Sequence, residues 1–158
     1  MYYHKLKFGI LTSDEQLNKY CNIKIEFKNG YFSGDNPEDG GFSFYLNDSY
    51  ICLDMDINSC CICNISGDYS IENMTAGYIS IPEKYTDTVL KVELEENMLP
   101  GCAWRISMEQ FNIIYDKMNS AIQIGKLEFN RKTYRIFNNV FVQLDSENYM
   151  ACIIITRI

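Results

Sequence analysis

The chain has 158 residues, 47% of them hydrophobic, and a formal net charge of −7, a composition that sustains one cored domain and argues against a disordered chain. No apolar run approaches the roughly 18 residues needed to cross a bilayer, and Met1-Tyr2-Tyr3-His4-Lys5 does not open like a signal peptide, so a cytoplasmic protein with no membrane association is expected. Seven cysteines without the spacing of a secreted framework read as reduced thiols.

The first predicted strand runs from about Tyr2 to Ile10, with Leu6, Phe8 and Ile10 on one face, shared by His4. Ser13-Asp14-Glu15-Gln16 forms a capping box opening a short helix with Leu17, Tyr20 and Cys21 inward. Ile23, Ile25 and Phe27 then alternate with Lys24, Glu26 and Lys28 up to Asn29-Gly30, a hairpin signal that sets Phe27 opposite Phe32. Gly34 to Gly41 is an acidic loop, and strands follow at Phe42 to Leu46 and Tyr50 to Ile57. In the latter, Ile51, Leu53, Met55 and Ile57 alternate with Tyr50, Cys52, Asp54 and Asp56. Shorter strands are predicted at Cys60 to Ile65, Tyr78 to Ile81, Val89 to Glu95 and Cys102 to Ile106.

Ile106 to Gly125 carries the one long helical pattern. Ser107 with Gln110 supplies a capping box, and Met108, Phe111, Ile114, Tyr115, Met118 and Ile122 recur at three- and four-residue steps. Beyond it, strands are predicted at Lys126 to Asn130, Thr133 to Phe137, Val140 to Leu144 and Tyr149 to Thr156. The two capping boxes are followed in the same order by matched segments. Lys24-Ile25-Glu26-Phe27 parallels Lys126-Leu127-Glu128-Phe129, and Phe44 through Tyr50 and Cys52 parallels Val142 through Tyr149 and Cys152. The expectation is a single α+β domain over residues 1–158, mostly antiparallel sheet with two helices. It would be an internal duplication of a β-α-β-β-β-β unit in halves of about 1–57 and 102–158, joined by a β-rich connector over 58–101.

Candidate chemistry is sparse. His4 is the only histidine, which leaves no partner for histidine-based acid–base pairs or two-histidine metal sites. Cys60, Cys61 and Cys63 lack a second closely spaced pair, and Asp35-Asn36-Pro37-Glu38-Asp39-Gly40 breaks the calcium-loop pattern at Pro37. No catalytic residue, metal ligand or cofactor is assigned.

Charge distribution is more informative. Between Asp35 and Glu96 thirteen acids face only Lys84 and Lys91, a local −11 that leaves +4 for the rest of the chain. Such a block repels nucleic-acid phosphates and attracts a basic partner. With twelve tyrosines, nine phenylalanines and one tryptophan, this suggests a non-catalytic protein-binding domain, for example an immunity or antitoxin-type inhibitor of a basic nuclease toxin. Asp35, Glu38, Asp39, Asp54 and Asp56 are the candidate contacts. Two alternatives are a small-molecule-binding domain or minor enzyme with a cleft between the halves, and a structural subunit of a larger assembly.

Overall fold

The computed structural model describes residues 4–11, 22–26, 30–34, 41–68 and 74–157. Among them the chain is all β: fifteen strands in three sheets and no helix. A six-stranded sheet has the order β10 (Ala103–Ile106), β4 (Gly41–Leu46), β5 (Cys52–Asp56), β6 (Ile62–Asp68), β3 (Tyr31–Gly34), β2 (Ile23–Glu26). A seven-stranded sheet runs β7 (Thr75–Ala76), β11 (Ile113–Asp116), β12 (Ala121–Gly125), β15 (Met150–Ile155), β14 (Val140–Leu144), β13 (Thr133–Phe137), β8 (Thr86–Asp87). A two-stranded sheet pairs β1 (Phe8–Leu11) with β9 (Val89–Val92).

Alternation places the core. Phe42, Phe44, Leu53, Met55 and Ile65 from the six-stranded sheet share one buried cluster with Ile122, Ile124, Val140, Val142, Ile153 and Ile155 from the seven-stranded sheet, so the two large sheets bury their inner faces against each other. Phe8, Leu90 and Val92 of the small sheet join that cluster. The seven-stranded sheet is also covered outside, where Ala121, Phe141, Cys152 and Ile154 pack with Ile79 in a second cluster. Two-sided burial explains why β12, β14 and β15 are apolar almost without interruption.

The long helix expected over Ile106–Gly125 is overturned, and with it the α+β class. The stretch ends β10, crosses an irregular segment and then forms the hairpin β11–β12, Ile113 pairing with Ile124 and Asp116 with Ala121. Asp116 closes the turn, its carboxylate accepting the Asn119 backbone N–H and side-chain amide, while Ser120 takes a positive φ of 50°. Met118, expected inside, is 96% exposed at the tip. The spacing fitted a helix, but Ile113, Ile114, Ile122 and Ile124 are stiff at χ1 and favour strands. Ser107 caps no helix. Instead the Asn47 side chain accepts the Met108 N–H and donates to the Met108 carbonyl.

The β-α-β-β-β-β unit falls with that helix. The short helix expected after Ser13 lies outside the described residues. Lys126–Phe129, matched to strand β2, forms no strand. One correspondence is present in both sheets: β4 and β5 turn at Asn47 (φ 49°), and β14 and β15 turn at Asn148 (φ 67°). In the first hairpin Phe32 pairs with Ile25, not Phe27.

Buried side-chain amides complete the ladders where strands end. Asn139, 2% exposed in the β13–β14 turn, accepts the Ile23 N–H and donates to the carbonyls of Ile23 and Thr156. That amide ties the outer strand of one large sheet to the other. Asn64 likewise accepts the Gly34 N–H where β3 and β6 have ceased to pair.

Candidate functional site: a groove beneath a strap

The expected acidic contacts come first. Asp35, Glu38 and Asp39 lie outside the described residues. Asp54 and Asp56 share the outer side of β5, but both carboxylates are engaged locally. Asp54 accepts from the Ser43 hydroxyl, the Cys52 thiol and the Asn64 amide. Asp56 accepts the Ser59 N–H and hydroxyl, which hold its carboxyl below the usual carboxylate range. The structure therefore brings these two into turn and ladder bonds and not into a common cleft.

The remaining candidates are also settled in place. The His4 Nδ1–H donates to the Glu95 carboxylate at 2.9 Å, and the ring meets Trp104 edge to face. Burial, and then the nearby Asp54 charge, pushes the Cys52 thiol up to about 12, and burial pushes Cys152 up to about 12. Such thiols stay protonated at neutral pH. Among the described residues no group of three or more His, Cys, Asp or Glu side chains is placed to hold a metal ion.

The feature that sequence reasoning missed is on the outer side of the seven-stranded sheet. Thr75–Ala76 pairs with β11 at one edge and Thr86–Asp87 with β13 at the other, so residues 77–85 cross the whole face as a strap. Six inter-strand spacings amount to about 29 Å, against at most about 36 Å for the ten residue steps from Ala76 to Thr86. That leaves the strap little slack, with a bend at Glu83–Lys84. Its ends are the sheet's two edge strands, each only two residues long, which keeps both edges short.

Polar and apolar contacts together hold the strap. The Ile79 N–H donates to Asp116, a buried carboxylate whose pKa is lowered first by that bond and then by Asn119. At the far end Arg135 grips Asp87 through Nε and Nη2 at 2.6 and 3.1 Å and lies over the Tyr85 ring, which meets Phe141 edge to face. The Ile79 side chain fills the outer apolar cluster.

Alongside the strap runs the 126–132 loop, and the space between them is an open groove of about 1200 Å³. The loop too is hung from the sheet. Gln143, on the outer side of β14 and 2% exposed, accepts the Glu128 N–H and donates to its carbonyl and to Thr133 Oγ1. Both walls are thus fixed by buried side chains before any ligand arrives.

The groove is rimmed with apolar groups that face water. Of the nine large hydrophobic side chains exposed among the described residues, four line it: Tyr78 (81% exposed), Ile81, Tyr85 and Phe129 (90%). Glu83, Lys84, Glu128, Arg131 and Lys132 add charge to the walls. The signal for this site in the sequence is Phe129-Asn130-Arg131-Lys132-Thr133-Tyr134, an aromatic-basic run that a strand-and-turn pattern accounts for equally well. No protein-family model matches the chain, and no curated protein is significantly similar to it in sequence.

Proposed function

We propose that the chain is a non-catalytic protein-binding domain whose contact surface is the groove between the strap and the 126–132 loop. The observation that carries this reading is the convergence of Tyr78, Ile81, Tyr85 and Phe129, all exposed, on two walls anchored by Asp116 and Gln143. Exposed apolar groups gathered in one place favour a partner. Tyrosine and phenylalanine offer large contact areas with few rotatable bonds, and fixed walls lower the ordering cost of association. The six described cysteines are free thiols, which supports a reducing, cytoplasmic setting. The test is affinity capture of the tagged chain from extract of its native cells, beside a Tyr78→Ser/Phe129→Ser variant. A protein held by the parent and lost from the variant is the expected result; equal retention by both removes the groove from the account.

A second reading keeps the acidic block as the docking surface for a basic protein such as a nuclease toxin. Glu93, Glu95 and Glu96 support it, being exposed together just beyond β9. In that case Glu93→Gln/Glu96→Gln would abolish capture of a basic protein at low salt while the groove variant would not.

A further inference from the structure

We infer that the segment recognised in the groove is extended and carries carboxylates beside apolar side chains, an inference that rests on the protein-binding reading above. Its sign follows from which charges are already matched. Glu128 pairs with Arg131 at 3.4 Å and Lys126 at 3.8 Å, and Arg135 is taken by Asp87. Lys84 and Lys132 line the groove, are exposed, and among the described residues enter no ion pair. What remains for an incoming ligand is two ammonium groups against the single carboxylate of Glu83. This local surplus runs against the −7 of the whole chain, so it is not a sample of the general surface.

Shape and edge chemistry narrow the ligand further. The groove is open along its course, which suits an extended chain in place of a compact molecule enclosed on all sides. The edge strands of this sheet are the two-residue ends of the strap, too short to template an added strand of any length. Recognition must therefore come from side chains, with apolar groups against Tyr78 and Phe129 and carboxylates at Lys84 and Lys132. A nucleic-acid strand would bring more phosphates than two free cations can match and would meet repulsion from the acidic remainder.

The experiment is selection of a random peptide display library on the immobilised full chain, followed by anisotropy titration of the enriched peptides. Enriched peptides should place Asp or Glu next to aromatic or large aliphatic residues. Lys84→Glu/Lys132→Glu should weaken them about tenfold, whereas Lys24→Glu/Lys91→Glu, equal in net charge and outside the groove, should leave affinity within about twofold. Should the first variant fail to fold, Lys84→Gln/Lys132→Gln gives the same comparison with a smaller loss. Enriched basic peptides that still depend on Phe129 would overturn the acidic assignment and leave the protein-binding reading standing. Absence of any enriched peptide, or tighter binding of an oligothymidylate than of the peptides, would also overturn it.

Discussion

Replacing Asn139 by alanine tests the amide that joins the two large sheets. The side chain is 2% exposed and makes three hydrogen bonds, at 2.8 Å from the Ile23 N–H, 2.6 Å to the Ile23 carbonyl and 2.8 Å to the Thr156 carbonyl. Thr156 is partly exposed and water can replace its bond, but Ile23 is fully buried. Truncation therefore strands one buried donor and one buried acceptor, each costing about 1–3 kcal/mol, for a total near 4 kcal/mol. Against a stability of about 5–15 kcal/mol this is a large fraction. With a urea slope near 2 kcal/mol per molar, the unfolding midpoint should fall by about 2 M. Asn138→Ala, which loses one exposed bond to Asn22, should move it by less than about 0.3 M. A shift of under about 0.5 M for Asn139→Ala would refute the claim that this amide stitches the sheets.

Three further outcomes follow from the site. Asp116 has its folded pKa lowered by the Ile79 and Asn119 donors, so its contribution is complete above the unfolded carboxylate value near 3.9 and disappears as pH falls through the lower folded value. The gap in urea midpoint between the parent and Asp116→Asn should accordingly be full at pH 6 and close below pH 4; a constant gap contradicts the assignment. In site-resolved iodoacetamide labelling at pH 8, exposed Cys102 should react first, while Cys52 and Cys152, with thiols near 12, stay unlabelled until urea unfolds the chain. Native-state labelling of either at the Cys102 rate would refute their burial. Gln143→Leu should release the 126–132 loop, raising tryptic cleavage at Arg131 and Lys132 about tenfold under native conditions, and unchanged cleavage would show that the amide does not hold that wall.

Some strands with one wet face were legible, whereas the two-residue β7 and β8 are too short to show an alternation. Leu53 and Met55 of β5 are buried and Asp54 and Asp56 only partly so, as the alternation requires, although Cys52 on the second face is buried and Ile57, expected inside, is exposed. The strands from Val140 and from Met150 were also readable, because Val, Ile and Phe are poor choices for anything else. Ile106–Gly125 misled because its apolar residues come from an irregular segment plus a hairpin. Their separations imitate a helical period, whereas side-chain stiffness argues for strands. The acidic pattern read as a docking face at Asp54 and Asp56 conceals carboxylates whose lone pairs are used by Ser43, Asn64 and Ser59.

The groove was not legible for a different reason. Its walls come from residues 78–86 and 127–134, brought together only because both ends of the strap pair with edge strands. Tyr78 to Ile81 looked like a strand in its own right, since an extended segment lying across a sheet and one lying within it carry the same kind of residues. What sets them apart is tertiary: Ile79 finds the outer cluster and Asp116, while Tyr78 and Ile81 are left to solvent.

The most direct test of the groove as the contact surface is site-specific photocrosslinking. Benzoylphenylalanine would be placed at Phe129 in one protein and, as a control, at Tyr50, which is exposed and outside the groove. After irradiation in extract of the native cells, a discrete adduct from position 129 and none from position 50 is the predicted result. Adducts from position 50 alone, or the same adducts from both, would contradict the account.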